Sequence, residues 1–235
     1  MTLDTISIMN PVVVLPTSKN HTSTIIWLHG LGDSGLGWYF LVEQLAPLFP
    51  TLKWILPNAP LRSVSFNDDA TIPAWFNVAS FDKTSHLAQV DEKGMLESVA
   101  YVNSLIESEA NNGIRNIILG GFSQGCVMTL LTGLTIETPL SAIIGVSGWL
   151  PLGEKFIKMA SKTNKQTPIL MCHGDDDPVV KYKYGRSSAR YLKKIGYNIE
   201  FKTYEGLGHT TSDQEIQDIT AFIQQHLTTT TSSKL

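Results

Sequence analysis

The sequence predicts an α/β fold, a mostly parallel central sheet with helices on both faces. Two observations carry this prediction: short apolar runs rich in β-branched residues, and amphipathic helical repeats between some of them. The runs are nearly continuous rather than alternating, which is typical of parallel strands buried on both sides. The predicted strands span residues 24–29, 52–56, 116–120, 142–146, 168–172 and 199–203.

Two helices are predicted from the spacing of apolar residues. The first repeat follows i, i+4, i+7, i+11 and consists of Met95, Val99, Val102 and Ile106. The second follows i, i+3, i+7, i+11 and consists of Ile216, Ile219, Ile223 and Leu227. Ser212 and Glu215 precede the second repeat with the spacing of a capping box, which predicts where that helix begins.

The composition supports one folded domain. The 235 residues are 43% hydrophobic and 17% charged, a balance that excludes disorder for the bulk of the chain. The net charge of −3 gives no basic surface for nucleic acid, and two cysteines cannot form a disulfide framework. No repeat or linker divides the chain, so we expect one domain over 1–227 and a flexible Thr/Ser-rich tail over 228–235.

An uncharged run over 116–136 is long enough to cross a bilayer. Its centre, however, carries polar and backbone-permissive residues in the order Gly-Gly-Phe-Ser-Gln-Gly. We interpret the run as a buried strand, a tight turn and a helix, and expect no transmembrane segment.

That turn contains a candidate nucleophile. Residues 121–125 match G-x-S-x-G, with a predicted strand before the motif and a predicted helix from Gln124 onward, the context of a nucleophile elbow. Glycine is needed at the flanking positions because a Cβ there would collide with the adjacent strand and helix. The pattern predicts Ser123 as the nucleophile; an ordinary glycine-rich turn is the structural alternative.

A serine nucleophile needs a base, and the base needs an orienting acid. His209 lies in a glycine-rich loop after the last predicted strand, and Asp175, Asp176 and Asp177 follow the strand before it. The order Ser, Asp, His and the position at strand ends suit an open α/β sheet. We favour Asp177 because Pro178 fixes the turn just after it. Asp175 and Asp176 remain open.

These aspartates and the nearby His173 also raise the possibility of a metal site. No H-x-x-x-H or C-x-x-C spacing accompanies them, and catalytic zinc needs three converging ligands. We expect neither a metal nor another cofactor.

The loop over 30–35 matches the dinucleotide fingerprint G-x-G-x-x-G. An NAD(P)-dependent oxidoreductase is therefore a distant alternative, but the acid expected after the next strand is replaced by Pro57 and Asn58. The same loop has another use: the backbone N–H of Leu31, with that of Gln124, can stabilise an oxyanion.

Six motifs in chain order resemble the acyl-protein thioesterase family, also called lysophospholipase-like carboxylesterases. They are HGLGDSG at 29–35, PAWF at 73–76, GGFSQG at 120–125, SGWLP at 147–151, HGDDDP at 173–178 and FKTYEG at 201–206, followed by His209. The resemblance covers about 24–227. It implies a single-domain α/β-hydrolase fold without a large lid domain.

The resemblance also implies an activity: a serine hydrolase that cleaves acyl thioesters or esters through an acyl-enzyme. Ser123, His209 and Asp177 would form the triad, and Leu31 and Gln124 the oxyanion hole. Four residues would line an acyl channel: Trp149, Val179, Leu61 and Trp75. Trp149 could equally fill the core. The expected state is a monomer or weak homodimer.

One residue departs from the family pattern. Cys126 stands where the family usually has a small residue after the elbow glycine. We interpret it as a buried structural thiol rather than a rival nucleophile, because it lies on the predicted helix.

The last three residues, Ser233, Lys234 and Leu235, match the tripeptide read by the peroxisomal import receptor. We therefore expect a peroxisomal location, with the cytoplasm as the alternative. A peroxisomal address would favour acyl-CoA or lipid esters as substrates, which is the alternative function.

Overall fold

A seven-stranded sheet forms the centre of the molecule, whose computed structural model describes residues 10–80 and 91–228. Its strands are β1 (Val12–Val14), β2 (Ser23–Leu28), β3 (Leu52–Leu56), β6 (Asn116–Phe122), β7 (Ala142–Val146), β8 (Ile169–Gly174) and β9 (Ile199–Tyr204). They lie in the order β1-β3-β2-β6-β7-β8-β9. Among the described strands of this sheet, only β1 is antiparallel to its neighbour. All six predicted strands are confirmed to within two residues at each end.

Helices cover both faces of the sheet. They are α1 (Tyr39–Leu45), α2 (Glu92–Asn111), α3 (Gln124–Thr135), α4 (Glu154–Met159), α5 (Tyr182–Lys194) and α6 (Asp213–Thr228). Apolar residues of α2, α3 and α5 form one core with one side of the sheet, and those of α1 and α6 form a second core with the other. The predicted fold class is confirmed, and the described ranges contain no separate lid domain.

The two predicted helical repeats lie in α2 and α6. Met95, Val99, Val102 and Ile106 are buried, as are Ile216, Ile219 and Ile223, while Leu227 is half-buried. The capping box is only half formed. The N–H of Glu215 donates to Ser212 Oγ at 3.2 Å, but the Glu215 carboxylate makes no return hydrogen bond within the described residues.

The uncharged run over 116–136 contains β6 and α3. Strand β6 lies between β2 and β7, and α3 is buried at every position from Gln124 to Leu134. Burial on all sides explains the absence of charge. No described helix is long and apolar enough to cross a membrane.

A small hairpin outside the main sheet was not predicted. It consists of β4 (Leu61–Val64) and β5 (Ala70–Pro73), paired antiparallel. The carbonyl of Pro73 accepts a hydrogen bond from the N–H of Gly32 at 2.8 Å, which ties the hairpin to the loop after β2.

The parallel strands end at one edge of the sheet, and the predicted triad and oxyanion residues follow these ends. Leu31 follows β2, Ser123 follows β6, Asp177 follows β8 and His209 follows β9. Helix α6 ends at Thr228, one residue beyond the predicted domain boundary; Ser233, Lys234 and Leu235 lie outside the described residues.

Candidate active site

Ser123 occupies a strained turn between β6 and α3. Its φ of 56° and ψ of −116° lie in a region that residues with a side chain rarely adopt. The backbone N–H of Ser123 donates to Val146 O at 2.8 Å, which fixes the turn against β7. A Cβ on Gly125 would lie 2.1 Å from Leu28 O, so only glycine lets α3 approach β2 this closely. The turn has the geometry expected of a nucleophile elbow.

A hydrogen-bonded chain joins the three residues predicted as a triad. Ser123 Oγ lies 2.9 Å from His209 Nε2, and His209 Nδ1 lies 2.7 Å from Asp177 Oδ2. An ionised carboxylate only accepts, so the proton of a neutral His209 lies on Nδ1 and Nε2 accepts from the serine hydroxyl. The structure brings together residues 123, 177 and 209 in the arrangement that activates a serine.

Asp177 is held in place by several donors. The backbone N–H groups of Val179 and Val180 both donate to its Oδ1 at 2.9 Å. Burial raises the pKa of the Asp177 carboxyl, but hydrogen bonds from His173 and His209 oppose this and hold the pKa well below its usual range. The carboxylate is therefore anionic throughout the neutral range.

His173 lies directly behind this carboxylate and was not predicted as a site residue. It is fully buried, and its Nε2 donates to Val180 O at 2.8 Å and lies 3.3 Å from Asp177 Oδ2. A Cβ on Gly185 would lie 2.3 Å from Nδ1, so glycine in α5 makes room for the ring. The spacing of His173 and Asp177 was visible in the sequence, but their contact was not.

The loop after β2 is held by a second buried histidine, which sequence reasoning also missed. His29 Nε2 accepts from Ala59 N–H at 3.0 Å, and its Nδ1 donates to Gly30 O at 2.6 Å. Burial lowers the pKa of His29, so the ring is neutral in this tautomer. Trp75 Nε1 donates to the His29 carbonyl at 2.8 Å. These contacts fix the backbone on both sides of Gly30.

Gln124 joins the elbow to this loop. Its side chain accepts from Trp75 N–H at 2.8 Å and donates to Phe76 O at 2.7 Å. Its backbone N–H lies in the first turn of α3, where a helix leaves its N–H groups without intrahelical acceptors. Neither this N–H nor that of Leu31 has an acceptor among the described residues, so both can donate to an oxyanion.

Above Ser123 lies a cleft of about 440 Å³. Its walls include three aromatic rings, those of Trp38, Phe40 and Phe122. The Phe122 ring lies 4.8 Å from the His209 ring, measured between centroids. The cleft is thus a mainly apolar space that opens directly onto the serine hydroxyl.

The four residues expected along an acyl channel have different positions. Val179 lines this cleft and is 39% exposed. Trp75 does not line it, because its side chain is fully buried and hydrogen-bonded to His29. Leu61 is exposed on the hairpin, and Trp149 is half-buried against the core formed by α2, α3 and α5.

The other residues considered in the sequence, Asp175, Asp176 and Cys126, lie outside the triad. Asp175 Oδ1 accepts from Gly206 N–H at 2.7 Å, which ties two loops together, and Asp176 is exposed. The Cys126 thiol is fully buried against Gly145 and Gly148, and burial raises its pKa. A thiol held protonated in the core is a poor nucleophile.

The glycine loop over 30–35 is hydrogen-bonded to a side chain of the protein. Asn58, at the position where a dinucleotide site needs an acid, accepts from Gly35 N–H at 2.9 Å and donates to Asn10 O at 2.9 Å. The oxidoreductase alternative is not favoured.

The fold and this site define a serine hydrolase of the α/β-hydrolase type. The sequence pattern of the family described as phospholipase/carboxylesterase matches residues 9–227, and the chain belongs to that family. Acyl-protein thioesterase 1 of Cryptococcus neoformans is 40% identical over 222 residues, covering 88% of this chain and 93% of that protein. Acyl-protein thioesterase 1 of Gibberella zeae is also 40% identical, covering 92% and 95%.

Solved structures agree with these sequence relatives. Acyl-protein thioesterase 2 of Zea mays is similar with a TM-score of 0.82 and 36% identity, covering 93% of this chain and 99% of that one. SOBER1 of Arabidopsis thaliana is similar with a TM-score of 0.82 and 34% identity, covering 87% and 99%.

Proposed function

We propose that this chain hydrolyses fatty acyl thioesters and esters, with S-acylated protein cysteines as the main substrate class. The observation that carries the proposal is the contact between Ser123 Oγ and His209 Nε2 at 2.9 Å, at the floor of a mainly apolar cleft. The 40% identity to proteins named acyl-protein thioesterase 1 supports the thioester as the bond cleaved.

In the first half of the reaction, Ser123 Oγ forms a bond to the acyl carbonyl carbon while its proton passes to His209 Nε2. The carbonyl oxygen becomes an anion and accepts hydrogen bonds from the N–H groups of Leu31 and Gln124. The bond from carbon to the leaving sulfur or oxygen then breaks, and the leaving group takes the proton from Nε2. The product is an acyl-enzyme and a free thiol or alcohol.

In the second half, water replaces the leaving group. His209 accepts a proton from water, whose oxygen bonds to the acyl carbon, and the same two N–H groups stabilise the second oxyanion. The ester bond to Ser123 breaks, the serine oxygen recovers its proton, and a carboxylic acid is released. Asp177 stays ionised throughout and stabilises the imidazolium formed in each half.

A comparison of substrates tests this proposal. We expect S-palmitoyl peptides to give a higher kcat/KM than palmitoyl-CoA or lysophospholipid, measured as thiol or fatty acid released. Ser123→Ala should lower kcat by on the order of 10⁴ or more. Ser104→Ala, the same change at an exposed serine of α2, serves as the control. Faster hydrolysis of palmitoyl-CoA would contradict the substrate class, and an active Ser123→Ala would contradict the nucleophile.

The peroxisomal location expected from Ser233, Lys234 and Leu235 stays a prediction from the sequence, as does the monomer or weak homodimer. The alternative function, hydrolysis of acyl-CoA or lipid esters, is not favoured by the similarity to acyl-protein thioesterases.

A further inference from the structure

Among the described residues that line the cleft above Ser123, one side chain carries a formal charge at neutral pH. That residue is Asp33, which is partly exposed, and none of the described lining residues is a lysine or an arginine. Asp33 forms no ion pair with any cation in the described ranges. Within the part of the chain that the structure describes, no cation balances this negative charge in the substrate space.

A hydrogen bond in the turn after β2 explains why the side chain of Asp33 lies where it does. That hydrogen bond does not require the side chain to be charged. Asp33 Oδ1 accepts from Ser34 N–H at 2.7 Å, and a Cβ on Gly37 would lie 2.1 Å from the same atom. The carboxylate is thus packed in one orientation against the chain. An asparagine Oδ1 would accept the same hydrogen bond. The charge of Asp33 favours the protonated form of buried His29, which burial nevertheless keeps neutral, and it also lies in the wall of the cleft.

The aromatic residues of the cleft suit a positive group. The Trp38 ring lies 5.3 Å from that of Phe40 and 5.2 Å from that of Phe122, measured between centroids. All three rings line the same space as Asp33. Aromatic faces together with a carboxylate attract ammonium groups, and more strongly where water is partly excluded.

We infer that the cleft selects substrates whose leaving group carries a positive charge near the scissile bond, and that Asp33 is the residue that sets this preference. The inference rests on the proposed function, because the acyl part of those substrates is a hydrocarbon and the charge must lie on the leaving group. The ligand chemistry is a thiol or alcohol with a nearby ammonium, as in a cysteine flanked by lysines. Anionic leaving groups such as coenzyme A are disfavoured.

Three matched thioesters test the inference: octanoyl esters of thiocholine, of mercaptoethanol and of mercaptoethanesulfonate, which are cationic, neutral and anionic. The measurement is kcat/KM for thiol release by wild type and by Asp33→Asn. For each substrate, kcat/KM of Asp33→Asn is divided by kcat/KM of wild type. The intrinsic reactivity of each thioester cancels in this ratio. We expect Asp33→Asn to lower kcat/KM roughly threefold to tenfold for the cationic ester. Relative to the neutral ester, the anionic ester should be hydrolysed faster by Asp33→Asn and the cationic ester more slowly.

Glu43→Gln is the matched control, since it removes one negative charge from an exposed position in α1 that does not line the cleft. Glu43→Gln should change kcat/KM by the same factor for all three substrates. Equal ratios for the three substrates with Asp33→Asn would overturn the inference while leaving the thioesterase proposal intact. Failure of wild type to hydrolyse any of the three would instead contradict the proposed function.

Salt provides a second measurement on wild type alone, which does not depend on folding of the variant. The preference for the cationic over the anionic ester should decrease between low salt and 0.5 M sodium chloride, as screening shortens the range of the Asp33 field (roughly 30 Å at 0.01 M, 10 Å at 0.1 M). A preference independent of salt would overturn the inference. Octanoylated peptides with flanking lysines, serines or glutamates then distinguish a basic protein segment from a small quaternary ammonium as the source of the charge.

Discussion

At the scale of single residues, the site depends on how one carboxylate is held. Asp177 accepts two backbone N–H groups on Oδ1 and faces His209 and His173 with Oδ2. Its side chain is fully buried, yet these donors keep the pKa of the carboxyl below its usual range. The charge that orients His209 is thus maintained by the turn over 177–180 and by a buried imidazole.

Asp177→Asn should keep the shape of the turn and remove the charge. An amide can donate to His209 Nδ1 and so stabilise the tautomer that cannot accept the serine proton. We expect kcat to fall by about 10⁴ with a much smaller change in KM. Steady-state hydrolysis of a p-nitrophenyl ester measures this.

Asp176→Asn is the matched control for that variant. It makes the same change one residue away, at an exposed side chain, and should keep nearly full activity. Similar losses of kcat in both variants would show that activity depends on the charge of the loop and not on the contact with His209.

At the scale of secondary-structure elements, the first turn of α6 contains an unusual group. Glu215 is fully buried, and neither of its carboxyl oxygens has a hydrogen-bond partner within the described residues. Burial, followed by the nearby charge of Asp218, raises the pKa of Glu215 to about 8. This helix follows the loop that carries His209, so its stability bears on the site.

The raised pKa makes the stability of the fold depend on pH. The ordinary pKa of a glutamate carboxyl is 4.5. Between that pH and about 8, the carboxyl of Glu215 keeps its proton in the folded protein but has lost it in the unfolded chain. The contribution of Glu215 is therefore fully present below pH 4.5 and is lost as the pH rises through 8. Glu215→Gln should remove this dependence.

Urea denaturation at pH 5 and pH 9 measures the effect. We expect the free energy of unfolding of Glu215→Gln, relative to wild type, to increase by about 2–4 kcal/mol from the lower to the higher pH. Asp213→Asn, at an exposed acid in the same turn, should show no such increase. An equal difference at both pH values for Glu215→Gln would mean that the carboxyl is ionised in the folded protein.

At the scale of the whole molecule, the parallel part of the sheet was predictable from the sequence. Buried strands such as β6 and β7 are continuous apolar runs, and each predicted one is within two residues of its observed bounds. The triad was predictable for a related reason. Because parallel strands end at one edge, residues that follow β6, β8 and β9 meet there however far apart they lie in the chain.

The rest depends on contacts that leave no local pattern. The hairpin of β4 and β5 has only four residues in each strand, most of them exposed or half-buried, so its apolar pattern is weak. The roles of His29 and His173 arise from partners across the fold, such as Ala59 and Gly185. Trp75 was expected along the acyl channel. The sequence does not show that its indole N–H donates a buried hydrogen bond to the His29 carbonyl.

The central claim is that Ser123 is the nucleophile and that His209 activates it. The most direct measurement is labelling with a fluorophosphonate, followed by mass spectrometry of the digested protein. The account predicts one adduct, on the peptide that contains Ser123, absent in Ser123→Ala and formed far more slowly in His209→Gln. An adduct on any other residue, or labelling at an undiminished rate in either variant, would contradict it.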